Sequence, residues 1–389
     1  MGGPPQVQLS SKPWLNWCAD RITDPVVRLR FLQAMAPPPE LSAPGRASRL
    51  ASLVLPRLMG ALLAALFLVQ AGGWVPPPRV RVAAGRPFRA EENRPAPEVW
   101  QVESSGGWET YSNGLRIDGR FAVSNHPRSY LAFPLDRPEA SAGVRRSQPV
   151  GVVFHATESP QVPFEANQNG VLKKIGESLL EYVRRKRAYH FLIDRFGRVY
   201  RVVAESDTAN HAGNSVWSDG QWLYINLNQS FLGVSLEART EPGQAEPETS
   251  PAQLRAAAML TEVLRSRYHI PAGNCVTHAQ VSVNPANMQL GYHTDWISNF
   301  PFEPLGLPDN YARPVPALWA FGFEFSPEYR ARAGERLRVG LQLAEQDLTQ
   351  RAAKAGMGLR AYRKLLQRQY RQELEKVRRA NAAEDEESE

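Results

Sequence analysis

Two histidines stand at the ends of short apolar segments, and their side chains can bind a metal ion. His155 ends the segment GVVFH, and His278 ends the segment CVTH. A polar cluster downstream contains His293 and Asp295. Two imidazoles and one carboxylate leave the fourth position of a tetrahedral zinc ion open for water, which is the arrangement of hydrolytic zinc sites. These residue types therefore predict a hydrolytic metal centre.

Each histidine by itself has a simpler interpretation, because a histidine at a strand end is more often a satisfied core residue than a ligand. The presence of two such histidines in one α/β unit favours the metal site. Cys275 lies three residues before His278, and on a strand these two side chains point to opposite faces. We therefore expect Cys275 to be a small buried hydrophobic residue and not a ligand.

Strand alternation also places several neighbouring polar side chains. In YHFLID, it predicts that Tyr189 shares a face with Phe191, while His190 lies on the opposite face. In GVSLEA, Ser235 and Glu237 share a face. Glu237 is a candidate base or a support for a metal ligand, and an ion pair at the strand end is an equal alternative.

Hydrophobic periodicity predicts the elements that position these residues, and their succession is typical of an α/β domain. Ser250 followed by Pro251 is typical of the start of a helix. The expected elements are a strand at 150–154, a helix at 171–183, a hairpin at 189–203, a strand at 232–236, a helix from 251 to about 268 and a strand at 275–278.

The segments that flank this unit have compositions of their own. The prolines and arginines of 72–107 predict a linker, and short apolar runs between turn residues predict a β-rich extension at 108–145. Two apolar stripes at helical spacing predict a C-terminal helical hairpin within 326–379. The last ten residues, 380–389, are expected to be an acidic, disordered end.

Residues 1–71 have the layout of an export leader. The segment 58–71 is uncharged, follows three arginines and ends in small residues that suit signal cleavage. Fifty-seven residues precede it, which is long for a signal. Three interpretations of this segment therefore remain: a secretory signal, a later start of translation at Met35, or an uncleaved signal that anchors the chain in the membrane.

The net charge of +7 is the one feature that favours nucleic acid as a partner. The leader 1–71 contributes +4, the segment 331–379 contributes +8 and the last ten residues contribute −5. The segment 72–330, which holds the candidate site, has a net charge of zero. We therefore expect no nucleic-acid partner. Two cysteines in 389 residues also exclude a disulfide framework.

Five segments resemble, in order and spacing, the zinc-dependent N-acetylmuramoyl-L-alanine amidases and the peptidoglycan recognition proteins. They are GVVFHATES, AYHFLIDRFGRVYRVV, ANHAGNS, LGVSLEA and VTHAQVS, and together they cover about 150–300. The resemblance implies a mixed central β-sheet flanked by helices in a domain spanning 146–315. It also implies an exported enzyme (periplasm, cell envelope or secreted) that hydrolyses the amide between N-acetylmuramic acid and the L-alanine of the stem peptide. A non-catalytic peptidoglycan-binding module is the alternative.

The same resemblance implies zinc bound by His155 and His278. In the family, a third ligand follows the second histidine by roughly ten residues, whereas HTD begins fifteen residues after His278. The third ligand is therefore open between Asp295, which we prefer, and His293. His293 is alternatively a donor to the oxyanion of the reaction.

The remaining site residues are also implied by the resemblance. Tyr189 falls on the catalytic tyrosine of the phage lysozyme-like amidases. Ser235 stands where the recycling-type amidases have a glutamate, which favours Tyr189 as the catalytic group. The resemblance places the His-Ala-Gly loop in the substrate groove, and the expected substrate-binding residues are Thr157, Asn210, His211 and Asn214. Peptidoglycan is the expected partner, and the sequence does not predict an oligomeric state.

Overall fold

A computed structural model of the chain describes residues 97–136, 142–240 and 249–388, with side chains described up to residue 382. The predicted leader, 1–71, and most of the predicted linker lie outside the described residues.

Short strands dominate the first two thirds of the described chain, and helices dominate the rest. In chain order, the strands are β1 (Gln101–Ser105), β2 (Trp108–Tyr111), β3 (Arg116–Asp118), β4 (Tyr130–Pro134), β5 (Val144–Arg146), β6 (Gly151–Ala156), β7 (Phe191–Ile193), β8 (Val199–Arg201), β9 (Val216–Ser218), β10 (Trp222–Ile225), β11 (Phe231–Leu236), β12 (Cys275–Thr277), β13 (Val283–Asn284) and β14 (Gln289–Leu290). The helices are α1 (Asn169–Lys186), α2 (Leu227–Ser230), α3 (Pro251–Tyr268), α4 (His278–Val281), α5 (Pro316–Phe321), α6 (Pro327–Arg332), α7 (Glu335–Lys354) and α8 (Leu359–Ser388).

A mixed sheet, in the order β1-β2-β3-β8-β7-β11-β6-β12, forms the centre of the fold. Strands β7, β11, β6 and β12 run parallel to one another, and β8 is antiparallel to β7. Every residue of β6 and β11 is buried, because both faces of these strands are covered. The predicted mixed sheet with flanking helices is therefore confirmed.

Helices cover both faces of this sheet. Leu180 and Val183 of α1 pack with Leu192 on one face, and α3 packs with Phe154 and Ile193 on the other. Helix α3 begins after Ser250, as the sequence predicts. The Ser250 hydroxyl accepts from the Gln253 N–H, and the Gln253 side chain accepts from the Ser250 N–H.

The segment before residue 146 contributes strands to two sheets. Strand β3 pairs in parallel with β8, so β1, β2 and β3 extend the central sheet. Strands β4 and β5 join β9 and β10 in a four-stranded sheet. Strand β1 lies within the segment 72–107, for which the sequence predicts a linker, so the ordered structure begins earlier than expected.

The C-terminal part of the chain forms the expected pair of long helices, α7 and α8. Leu337, Leu341 and Leu348 of α7 are buried, and Tyr370 of α8 is fully buried against Phe323. Helix α8 continues to Ser388, which differs from the disordered end predicted for 380–389. Alanine and glutamate are good helix formers, and they extend the preceding helix. None of the described helices is both long and apolar enough to cross a membrane.

Candidate metal centre

His155 and His278 meet at one edge of the central sheet because their strands are parallel neighbours. His155 is the penultimate residue of β6, and His278 begins α4 directly after β12. The Thr277 side chain caps α4 together with Gln280, so the strand predicted for 275–278 ends one residue early. The two imidazole centroids are 4.4 Å apart, and both rings are almost fully buried.

Asp295 reaches the two histidines through a hairpin that the sequence did not predict. Strands β13 and β14 pair antiparallel and accommodate the residues that separate His278 from the HTD segment. The Ala279 N–H donates to the Asp295 carbonyl over 3.2 Å, and Trp296 is fully buried beside it. The longer spacing therefore forms a loop that returns to the site.

The three side chains form a cluster with the dimensions of a metal site. Asp295 Oδ1 lies 2.8 Å from His278 Nδ1, and Asp295 Oδ2 lies 3.3 Å from His155 Nδ1. The three ligand atoms all lie within 4.8 Å of one another. Tetrahedral zinc with bonds of about 2.0 Å separates its ligand atoms by about 3.3 Å, so this donor set fits the ion. Cys275 is buried near the Pro271 carbonyl, as expected for a core residue.

The charges in the cluster are those that a metal ligand set requires. Burial, followed by the neighbouring His278, lowers the pKa of His155 to about 4. Burial opposes ionisation of Asp295, but His278 and His155 outweigh it and hold the pKa of Asp295 well below its usual range. At neutral pH, His155 is therefore a neutral imidazole and Asp295 a carboxylate, the forms in which these side chains bind metals.

A cleft of about 430 Å³ opens above the cluster. Its lining includes five more of the residues singled out in the sequence, namely Thr157, Tyr189, Asn210, His211 and His293. Thr157 is half-buried and shares a hydrogen bond with Ser159, and the exposed Asn210 side chain donates to the Lys186 carbonyl. The structure thus gathers most of the predicted residues around one opening.

Tyr189 lies in this cleft because its backbone is left-handed, with φ of 64°. Its ring centroid is 5.0 Å from that of His155, and Tyr189 packs against the apolar cluster that contains Leu192, whereas Phe191 belongs to a different cluster. The prediction that Tyr189 shares a face with Phe191 was wrong, because β7 begins only at Phe191 and the positive φ rotates the preceding side chain. Burial raises the pKa of Tyr189, so its hydroxyl keeps its proton at neutral pH.

His293 lies at the mouth of the cleft. Its exposed ring stacks on His278 with centroids 4.8 Å apart, and its backbone N–H donates to the Ser282 hydroxyl. The close cluster of ligand atoms contains Asp295 and not His293. Of the two alternatives for the third ligand, the geometry therefore favours Asp295.

Two predicted site residues are not among those that line the cleft. Glu237 directly follows β11, and its carboxylate lies beneath Gly176 of α1 and accepts the Arg195 N–H. The structure therefore gives the predicted catalytic Glu237 no contact with the cleft, because α1 crosses the sheet there. Asn214 is exposed, and its carbonyl accepts from the Val283 N–H.

Sequence reasoning missed Asn228, which shapes the wall of the cleft. Its side-chain oxygen accepts three consecutive backbone N–H groups, from His211, Ala212 and Gly213, over 2.6–3.0 Å. Asn228 lies fifteen or more residues away along the chain, so spacing alone gives no signal for this contact. Glu158, which also lines the cleft, accepts hydrogen bonds from Thr240.

Comparison with known families agrees with this geometry. The family described as N-acetylmuramoyl-L-alanine amidase matches residues 145–295, a segment that ends at the third residue of the cluster. This segment belongs to the N-acetylmuramoyl-L-alanine amidase family. The amidase segment thus contains all three clustered side chains, whereas β1–β4 and the C-terminal helices lie outside it.

Two individual relatives cover between 22% and 45% of the chain. The N-acetylmuramoyl-L-alanine amidase AmiD of Escherichia coli is 33% identical over 89 residues, which are 22% of this chain and 31% of AmiD. AmpDh3 of Pseudomonas aeruginosa, solved with an anhydromuramic pentapeptide, is 22% identical over 42% of this chain and 64% of its own, with a TM-score of 0.31. The structure of AmiD, solved with the substrate anhydro-N-acetylmuramic acid-L-Ala-D-γ-Glu-L-Lys, is 22% identical over 45% of this chain and 58% of its own. Its TM-score is 0.27. The matched segment spans about a third of AmiD in sequence.

Proposed function

We propose that the protein is a zinc-dependent peptidoglycan amidase that hydrolyses the bond between N-acetylmuramic acid and the L-alanine of the stem peptide. The observation that carries this proposal is the cluster of His155, His278 and Asp295 at the base of an open cleft in the amidase segment. An amide is a poor electrophile, so a site for its hydrolysis must supply both a strong nucleophile and a polarising charge.

His155, His278 and Asp295 would hold the zinc ion, because their ligand atoms all lie within 4.8 Å of one another. When bound, zinc lowers the pKa of a water molecule and polarises the scissile carbonyl. Tyr189 and His293 flank the cluster, on the sides of His155 and His278 respectively. The Tyr189 hydroxyl, which stays protonated, donates a hydrogen bond to the oxyanion that develops in the transition state, and His293 is the second donor.

Substrate binding is supported by the polar groups on the cleft walls. Thr157 follows β6, and Asn210 belongs to the loop that Asn228 holds in place. We infer that these residues bind the peptide or the lactyl portion of the substrate. The export leader predicted for 1–71 supports a location in the periplasm, the cell envelope or outside the cell, where peptidoglycan lies.

The test measures zinc content and stem-peptide release on the full-length chain. Purified protein is expected to contain one zinc ion per chain, to release stem peptide from a muropeptide, to lose this activity with a chelator and to recover it with added zinc. His155→Ala is expected to abolish turnover because it removes a ligand. Asp295→Asn should lose zinc, whereas His293→Gln should retain zinc and react more slowly.

Two results would contradict the proposal. Full activity in zinc-free protein would exclude the metal mechanism. Zinc-loaded protein that binds peptidoglycan but releases no stem peptide would identify the chain as a non-catalytic binding module, the alternative that the sequence leaves open.

A further inference from the structure

His211, which the sequence places in the substrate groove, has its ring turned towards a metal ligand. His211 Nδ1 lies 3.1 Å from His155 Nε2, with the rings nearly perpendicular. The other ring nitrogen, His211 Nε2, lies 3.3 Å from the Phe231 carbonyl oxygen. His211 is 8% exposed, so both of its ring nitrogens are engaged inside the protein.

The Phe231 carbonyl decides which nitrogen of each histidine carries the proton. A carbonyl only accepts hydrogen bonds, so a neutral His211 carries its proton on Nε2 and has a lone pair on Nδ1. That lone pair accepts a hydrogen bond from His155 Nε2, which must then carry the proton of His155. The lone pair of His155 is left on Nδ1, the atom that faces Asp295.

This arrangement calls for a cation in the cluster. His155 Nδ1 and Asp295 Oδ2, which are 3.3 Å apart, are then both acceptors and repel each other unless a positive charge lies between them. A metal ion satisfies both atoms at once. The hydrogen bond from His155 to His211 therefore prepares His155 as a ligand before the metal binds.

The surroundings of His211 hold its ring in this position. Gly233 of β11 lies directly under the ring, and a Cβ atom there would approach His211 Cγ to 2.6 Å. The Phe231 carbonyl is also an acceptor for Arg128, a buried side chain that precedes the amidase segment. Asn228 accepts the His211 backbone N–H. Backbone and ring are thus fixed from three directions.

We propose that His211 is a positioning residue that sets the tautomer of His155, and that its ring does not bind substrate. This inference rests on the zinc site of the proposed function and extends it to the residue behind one ligand. Partners of this kind typically change metal affinity by 10-fold to 100-fold when they are removed.

The experiment compares zinc affinity, measured by chelator competition, in the wild-type chain, His211→Ala and His211→Asn. His211→Ala is expected to raise the zinc Kd by about 10-fold to 100-fold. His211→Asn places an oxygen near the position of Nδ1 and should recover part of this loss, because it still accepts from His155 Nε2. Gly233→Ala, which displaces the ring, should weaken zinc binding in the same direction.

The matched control is His269→Asn, which replaces an exposed histidine after α3 whose φ of 54° suits asparagine. Its zinc Kd should stay within about twofold of wild type. Thermal unfolding of the metal-free variants checks that each one folds. Long-range ¹H–¹⁵N imidazole spectra of the zinc-loaded chain should show the proton of His155 and that of His211 on Nε2.

A zinc Kd that is unchanged in folded His211→Ala, with a raised KM for muropeptide, would overturn the inference and return His211 to substrate binding. A proton on Nδ1 of His155 would overturn it as well. Zinc affinity does not depend on turnover. If the zinc Kd values of the variants follow the expected order but the wild-type chain releases no stem peptide, the proposed function is refuted and the role of His211 stands.

Discussion

The pH dependence of stability tests whether the Glu237 carboxylate is buried beneath α1, because a buried carboxylate is costly to ionise. Burial raises its pKa to about 7 from an ordinary value of 4.5, and the hydrogen bond from the Arg195 N–H only partly opposes this. The folded state therefore holds a proton that the unfolded chain has lost between pH 4.5 and 7. Stability falls as pH rises through this window, and the penalty is complete above it.

The size of this penalty follows from the pKa difference. A shift of this size corresponds to about 3 kcal/mol, and we expect about 2 kcal/mol after a discount for solvent screening at the edge of the sheet. Glu237→Gln removes the ionisation. As the pH rises from 5 to 8, the free energy of unfolding of the wild type should therefore fall by about 2 kcal/mol relative to that of Glu237→Gln.

Urea unfolding of both proteins at pH 5 and pH 8 measures this difference. Glu181→Gln, an exposed position on α1, is the control and should show no such change with pH. If Glu237→Gln and wild type differ by the same amount at both pH values, the carboxylate is not buried as described. Turnover in the same variant tests the sequence-based prediction of a catalytic base, and we expect it to stay within about fivefold because the carboxylate lies beneath α1.

Three further substitutions test the supports of the site. Arg128→Met leaves the carbonyls of Glu205 and Gln229 without their buried donor and removes one of the two donors to the Phe231 carbonyl. We expect a loss of at least about 3 kcal/mol in urea unfolding, and a loss below about 1 kcal/mol would contradict this contact set. Tyr329→Phe removes the hydrogen bond from its hydroxyl to the Ala279 carbonyl beside His278, which should cost about 1 kcal/mol in the same assay. Tyr189→Phe should lower kcat by about 10² to 10³ with zinc content unchanged; an unchanged kcat would exclude Tyr189 as an oxyanion donor.

Local sequence patterns predicted the central elements well because their signals are short-range. The helix after Ser250 was predicted from a capping residue and a first-turn proline, and it begins at Pro251. The strands that carry His155 and Ser235 were predicted from apolar runs, and both are fully buried. Parallel pairing of neighbouring strands then brings the two histidines to one edge.

The remaining features depend on contacts between distant parts of the chain. Tyr189 reaches the cleft through a left-handed backbone that strand alternation does not anticipate. Asn228 holds the loop of His211 by three backbone hydrogen bonds, which no local pattern encodes. Strands β1–β3 join the central sheet through a parallel pair with β8, so apolar runs alone could not show that they extend it.

The family pattern also left the third ligand open, since the spacing after His278 is longer than usual. The hairpin of β13 and β14 explains this spacing and returns Asp295 to the cluster. A contact from outside the amidase segment also supports the site, because the hydroxyl of Tyr329 in α6 donates to the Ala279 carbonyl of α4. Residues on both sides of the matched segment therefore hold the site together.

The most direct test of the account is the identity of the bond that the full-length, zinc-loaded chain cleaves. A muropeptide of defined structure is incubated with the protein, and the products are identified by mass spectrometry. We predict a free stem peptide with a new amino group on L-alanine, together with the muramic acid sugar bearing a new lactyl carboxylate. Intact muropeptide, or cleavage at any other bond, would contradict the assignment of the site as an amidase.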